Sequence, residues 1–212
     1  YRLDPLGWPG CDLELTSKKA DPALRRIVLT VALLNLGYFA IEFAVARAIG
    51  SVSLYADSVD FLEDASVNLL IFFAFVWSAA NRARAGMAMA LILLVPAAAF
   101  LWTAWQKFAL PVPPEPLSLS MTGFGALMVN LFCAYLLAAW RNAGGSLTKA
   151  AFLSARNDVF ANIGIVAAGL VTALAWNSIW PDLIVGVAIA WSNLDAAKEV
   201  WAAAREERHA AS

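Results

Sequence analysis

Histidine and cysteine are almost absent from this sequence. Its 212 residues include one histidine, His209, and two cysteines, Cys11 and Cys133. The lone histidine lies at the extreme end of the chain, so no Ser-His-Asp triad is available. Two cysteines so far apart set no disulfide framework. We therefore expect a protein that is not an enzyme.

Net charge and phosphate-binding loops are also lacking. The chain has 15 basic and 16 acidic residues, a formal net charge of −1. Without a basic surplus it lacks the charge pattern of nucleic-acid binding. No glycine-rich phosphate loop appears, which argues against ATP as an energy source. Nothing indicates a prosthetic group.

Apolar residues are abundant. They form 61% of the chain, above the roughly 45–50% of soluble domains. Six apolar runs are long enough to cross a hydrocarbon core of about 30 Å, and in lipid such runs must be helical. We predict an all-α bundle of six transmembrane helices at about 23–49, 52–79, 87–108, 119–140, 147–175 and 182–201, with 111–116 as a loop that cannot be helical.

The basic residues predict the orientation of this bundle. They cluster in an amino-terminal arm at 1–22, near Arg82 and Arg84, near Arg141 and Lys149, and in the tail. Short basic loops stay on the cytoplasmic side, so both termini should be cytoplasmic. The transmembrane domain would span 23–205 and the tail 206–212. We expect an integral protein of a bacterial inner membrane, in contact with the lipid bilayer.

Acidic residues inside two of the runs are the main functional signal. Asp57, Asp60 and Asp64 lie in the second run and Asp158 in the fifth. Each ionised group at membrane depth costs roughly 2.5–3.5 kcal/mol. Helical spacing places the three second-run acids within an arc of about 60°. Asp60 is roughly 15 Å from the turn at Gly50, and Asp158 reaches a similar depth on an antiparallel helix.

These carboxylates predict a divalent-cation site. Ser154 lies one turn before Asp158 on the same face, so Asp60, Asp64, Asp158 and Ser154 are the expected ligands. Metal binding requires deprotonated carboxylates, so exchange of metal for protons is chemically natural. The alternative is a polar bundle core in which waters, serines and asparagines satisfy the acids.

Other polar residues are secondary candidates. Asp57 and Asn157 are possible further ligands, although Asn157 points about 100° away from Asp158. Glu42 is either a proton relay or a satisfied core acid. Asp182 follows Trp180-Pro181 and is predicted to cap the sixth helix. Two interpretations are open for a last group of residues: Cys11, Asp12, Glu14 and His209. They form a cytoplasmic loading site for metal, or they belong to a solvated arm and a frayed tail.

Two segments resemble motifs of the cation diffusion facilitator family. Residues 50–53, 56–60 and 63–64 read GSVS, ADSVD and ED, which is similar to the second-helix motif with its Asp/His-x3-Asp pair at Asp60 and Asp64. Residues 147–159, LTKAAFLSARNDV, resemble the fifth-helix motif, usually His-x3-Asp. Asp158 matches its aspartate, and Ser154 stands where zinc members carry histidine. Asn35 and Glu42 resemble polar positions of the first helix.

The resemblance covers about residues 23–205. It implies a six-helix, usually dimeric exporter of divalent transition metals, commonly Zn²⁺, driven by protons. It also suggests a short member without the family's cytosolic carboxy-terminal domain, so a homodimer would form through membrane helices. An oxygen-only site suits harder ions such as Mn²⁺, and Cd²⁺ and Co²⁺ are further candidates.

Three functional hypotheses follow. The first is proton-coupled efflux of a divalent metal by alternating access around Asp60, Asp64, Ser154 and Asp158. The second is a membrane metal-binding scaffold that uses the same site without transport. The third is a passive cation channel.

Overall fold

The structure is a computed structural model that describes residues 22–74, 98–140 and 145–192. Within these ranges all regular secondary structure is helical, which confirms the all-α prediction. Each described helix overlaps one of the six apolar runs: α1 (Pro22–Ile49), α2 (Val52–Ala74), α3 (98–109), α4 (Pro116–Ala138), α5 (Gly145–Leu174) and α6 (Trp180–Ser192).

A tight turn joins α1 to α2. Gly50 has φ 63°, in the left-handed region that glycine adopts without a Cβ clash. The amide of Ser51 donates to the Ala46 carbonyl at 3.1 Å, which ends α1. The chain therefore reverses in two residues, and α1 and α2 pack as an antiparallel pair.

The proline-rich loop lies one residue earlier than the sequence predicted. Residues 110–115 are not helical, but Pro116 is the first residue of α4. The prediction was wrong at this residue because a proline at the first helical position lacks only an N–H that has no helical partner. Glu115 caps the helix by accepting from the amides of Leu117 and Ser118.

Three helices have the length and composition of membrane spans. They are α1, α4 and the Ala151–Leu174 part of α5. Helix α2 is long enough but carries four acids, and α3 and α6 are shorter within the described ranges. The count of six spans and the side of the termini stay predictions.

Two apolar clusters frame the interior. One includes Val28, Leu137 and Ala155 and lies towards the Pro22 end of the bundle. The other includes Leu54 and Ile165 and lies towards the Gly50 turn, here called the Gly50 end. Helix α1 packs on α2 and α4, and α5 packs on α4 and α2. The acidic parts of α2 and α5 lie between the two clusters.

Several predictions fall outside the described residues. These are the arm apart from Pro22, the tail at 206–212, the basic loop at Arg82 and Arg84, and the loading site of Cys11, Asp12, Glu14 and His209. Cys133, in contrast, is fully buried, and its Sγ lies 3.6 Å from Asn35 Oδ1.

Candidate metal site

A cavity of about 100 Å³ lies between α2, α5 and α6. Among the described residues, every side chain that lines it carries oxygen and none is basic: Asp60, Glu63, Asp64, Ser154, Asn157, Asp158 and Ser192. Asp60 and Asp64 are only 7% and 5% exposed. At roughly 30 Å³ per water, the cavity has room for a few waters or one partly hydrated ion.

Direct contacts join Asp64 of α2 to Ser154 and Asp158 of α5. The Ser154 hydroxyl donates to Asp64 Oδ1 at 2.9 Å. The Asp158 carboxyl also lies within hydrogen-bonding range of Asp64. Asp60 lines the same cavity. The structure thus brings together the four residues that the sequence singled out.

The carboxylates surround the cavity, but they do not converge closely enough to coordinate one ion by themselves. Within the described ranges, no three acidic, cysteine or histidine side chains are spaced as a metal-ligand group. An ion in the cavity would therefore complete its shell with hydroxyl or amide oxygens or with water. Hard divalent ions accept such mixed oxygen ligands.

An asparagine supports each binding helix one turn after its aspartate. Asn68 Nδ2 donates to the Asp64 carbonyl at 2.9 Å, and Asn162 Nδ2 donates to the Asp158 carbonyl at 2.6 Å. Both asparagines are buried, and the Oδ1 of each has no hydrogen-bond partner in the described part of the chain. These bonds hold the helical turns that present the acids.

The secondary candidates separate into two groups. Asn157 lines the cavity, whereas Asp57 and Glu42 are not among its lining residues. Both of these acids are fully buried, and no nitrogen or hydroxyl of the described residues donates to them. Their carboxyls adjoin each other, so a hydrogen bond between them requires a proton on one. The described residues thus do not satisfy Glu42 as an ordinary core acid.

Sequence reasoning missed three contributions, the first of which is Glu63, an acid of α2 that lines the cavity. Ser192 of α6 lines the cavity, but a single serine in an apolar run gives no signal. Asp182 was expected to cap α6, and this was wrong. Its carboxylate instead accepts the amides of Val52 and Ser53 at the start of α2. Asp182 lies inside the first turn of α6, from which its side chain reaches the neighbouring helix.

Comparison with known proteins places the chain in a family. No curated protein sequence matches it significantly. Residues 28–200 match the family described as the cation efflux transmembrane domain. That match includes every residue that lines the cavity and covers most of the 212 residues. The chain therefore belongs to the cation efflux transmembrane domain family, whose members transport metal cations.

Proposed function

We propose that the chain exports a divalent transition-metal cation from the cytoplasm in exchange for protons. The ion would bind among Asp60, Asp64, Ser154 and Asp158 and cross by alternating access. The observation that carries this proposal is the cavity between α2, α5 and α6, at which every described lining residue bears oxygen and four are acidic.

The oxygen ligands that line the cavity influence which metal the chain would transport. We propose Zn²⁺ as the main cargo because of the family resemblance, with Cd²⁺, Co²⁺ and Mn²⁺ as competitors. The described part of the lining has no imidazole or thiolate, and such ligands favour zinc over harder ions. A competition titration across the four metals would rank them.

Proton exchange follows from the crowding of carboxyls. Asp64 and Asp158 lie within hydrogen-bonding range, so two ionised groups would repel each other there. A divalent ion or a proton relieves that repulsion, and the two cargoes compete for the same oxygens. The buried pair of Glu42 and Asp57 offers a further place for a proton on α1 and α2.

The test is metal flux into proteoliposomes under an imposed pH gradient. The proposal expects flux that depends on the gradient and that disappears in Asp158→Ala. If the native chain moves none of the four metals under either direction of the pH gradient, the proposal that it is a transporter is wrong. Flux that persists unchanged without a gradient would favour a channel.

A metal-binding scaffold is the second candidate. The hydrogen bond from Ser154 to Asp64 already ties α5 to α2, and a bound ion would strengthen that tie. A scaffold should gain thermal stability with metal yet move none.

The proposed setting is a bacterial inner membrane, with both termini cytoplasmic and two copies joined through membrane helices. Exposed apolar side chains such as Phe124, Leu131 and Tyr135 on α4 suit contact with lipid or with a second copy.

A further inference from the structure

The start of α2 is buried on every side. All eight residues from Ser51 to Ser58 are buried, including the polar Ser53 and Asp57. A helix at a surface exposes one face in every turn, so this segment is surrounded by protein. The cavity, in contrast, is lined by the exposed Glu63, Asn157 and Ser192. The bundle is thus closed between the cavity and the Gly50 end.

One carboxylate holds this closed end together. Asp182 accepts four hydrogen bonds, from the Ser51 hydroxyl at 2.7 Å, the Val52 amide at 2.7 Å, and the Ser53 amide and hydroxyl at 3.1 and 2.6 Å. We call these four residues the Asp182 clasp. The amides of a first helical turn have no partner within their own helix, and an anion there is favourable. The clasp therefore fixes the outer end of α2 to α6.

Two further contacts reinforce the clasp. A Cβ on Gly186 would lie 2.9 Å from the Val52 carbonyl carbon and from the Ser53 nitrogen, so α6 meets α2 at the level of the backbone. Lys107 of α3 interacts electrostatically with Asp182 and donates to the Val112 carbonyl. The clasp thus joins α2 to α6, and the charge of Lys107 on α3 acts on Asp182 from the same end of the bundle.

Unsatisfied polar groups lie between the clasp and the cavity. On α2, Asp57 is about 4.5 Å closer to the Gly50 end than Asp60, and on α5, Asn162 is about 6 Å closer than Asp158. The Asp57 and Glu42 carboxyls and the Asn162 amide oxygen are buried without a donor among the described residues. Water entering from the Gly50 end would supply those donors.

We propose that the Asp182 clasp is the latch that closes the cation route at the Gly50 end, with Asp182 as its positioning residue. Opening the clasp hydrates Glu42, Asp57 and Asn162 and gives the cation its exit. The inference rests on the proposed function for the identity of the cargo, but the state of the clasp is measurable without any metal.

The experiment is sided labelling of a cysteine behind the clasp. Ser58→Cys, in a chain with Cys11→Ala, places a thiol of similar size at a fully buried position. A membrane-impermeant maleimide is added to the Gly50 side of vesicles, and labelling is compared with and without Asp182→Asn. Loss of a charged acceptor should raise the labelling rate about tenfold, since hydrogen bonds to charged groups are the stronger ones.

Matched variants distinguish the opening of the clasp from a general loss of helix packing in the bundle. Glu115→Gln removes a carboxylate cap from α4 at the same end and should leave labelling unchanged. Asp182→Glu keeps the charge and should restore most of the protection. If Asp182→Asn does not fold, Gly186→Ala perturbs the same contact without a charge change, with Gly37→Ala as its control because no atom lies within 4 Å of that Cβ.

Metal binding is measured separately, with Zn²⁺ alone in detergent. Asp182 does not line the cavity, so the Zn²⁺ affinity of Asp182→Asn should stay within about threefold of the parent. Labelling that is equal in the parent, Asp182→Asn and Gly186→Ala would overturn the latch. Absence of Zn²⁺ binding in the parent, with labelling as expected, would count against the proposed cargo and leave the latch supported.

Discussion

Four aspartates within the helices, Asp57, Asp60, Asp64 and Asp158, have different surroundings. Asp64 accepts a hydrogen bond from the Ser154 hydroxyl, and it lines the cavity together with Asp60 and Asp158. Asp57 is fully buried, and no nitrogen or hydroxyl of the described residues donates to it. The neighbouring helices account for the difference. Asp64 meets α5, whereas Asp57 lies at the buried start of α2 and adjoins Glu42 of α1.

Removing one cavity aspartate should abolish transport. Asp60→Ala, Asp64→Ala and Asp158→Ala each delete a carboxylate from the proposed ion shell. Each also relieves a midplane cost of roughly 2.5–3.5 kcal/mol, so the apo chain should insert and fold at least as well as the parent. Flux and thermal melts check this, with Thr172→Ala as a control away from the cavity on α5. Near-native flux in Asp60→Ala or Asp158→Ala would remove these residues from the site.

Ser154→His should shift preference towards Zn²⁺ over Mn²⁺. The serine hydroxyl already contacts Asp64, so an imidazole at this position would face the same ion. A neutral nitrogen is a borderline-soft ligand that favours zinc. The quantity to measure is the ratio of Zn²⁺ to Mn²⁺ affinity in the mutant and the parent. An unchanged ratio in a mutant that still binds metal would place Ser154 outside the ligand shell.

Metal affinity should fall as the pH drops from neutral to about 5. Metal needs ionised carboxylates, so protons compete for the oxygens of Asp60, Asp64 and Asp158. Calorimetric titration at several pH values measures the slope, and a parallel titration of Asp64→Asn should show a weaker one. Affinity that is flat over this range would contradict coupled exchange.

At the scale of elements, two of the helices that start at the Gly50 end are capped in different ways. Helix α4 is capped from its own loop by Glu115, which accepts from Leu117 and Ser118. Helix α2 is capped from another helix by Asp182. A local cap stabilises one helix, whereas a cap from a distant helix also fixes the position of that helix in the bundle.

The α4 cap should weaken on acidification. Hydrogen bonds from the side chain and backbone of Ser118 and from the amide of Leu117 hold the pKa of Glu115 below its ordinary value. A lowered pKa means that the cap stabilises the folded state above the ordinary pKa and loses that effect as pH falls through the lowered value. The difference in melting temperature between the parent and Glu115→Gln should therefore shrink at low pH. A difference independent of pH would show that the charge contributes nothing.

At the scale of the whole molecule, polarity is inverted relative to a soluble protein. Large apolar side chains such as Leu101, Trp105 and Phe160 are exposed, while Asn35, Glu42 and Asp57 are fully buried. This distribution is expected of a chain that crosses a bilayer, where interior acids are in general associated with ion pathways. The family match and the three apolar spans agree with this distribution.

Both termini should lie on one side of the membrane. Six spans return the chain to its starting side, and the basic loops indicate that this side is the cytoplasm. Epitope tags placed before Tyr1 and after Ser212 should both be protected from protease in intact cells and cleaved in inverted vesicles. Tags on opposite sides would exclude six spans, and a tag on the loop near Pro113 provides the opposite control.

The sequence alone determined the family and the helical class, and it predicted the chemistry of the candidate site. Apolar runs of membrane length can only be helices, and acids within them are too costly without a role. Helical spacing predicted that Asp60 and Asp64 share one face and that Ser154 and Asp158 share another. Their similar depth on antiparallel helices then predicted that the two faces meet.

Only the tertiary structure decided which acids meet which helices. Periodicity placed Asp57 on the same face as Asp60, yet the packing of α1 gives it Glu42 as its neighbour. Asp182 looked like a local cap and instead holds the start of α2, and Ser192 reaches the cavity from α6. Spacing within a helix describes one helix only. Contacts between helices depend on rotation and depth in the bundle, and residues far apart in the chain jointly determine both.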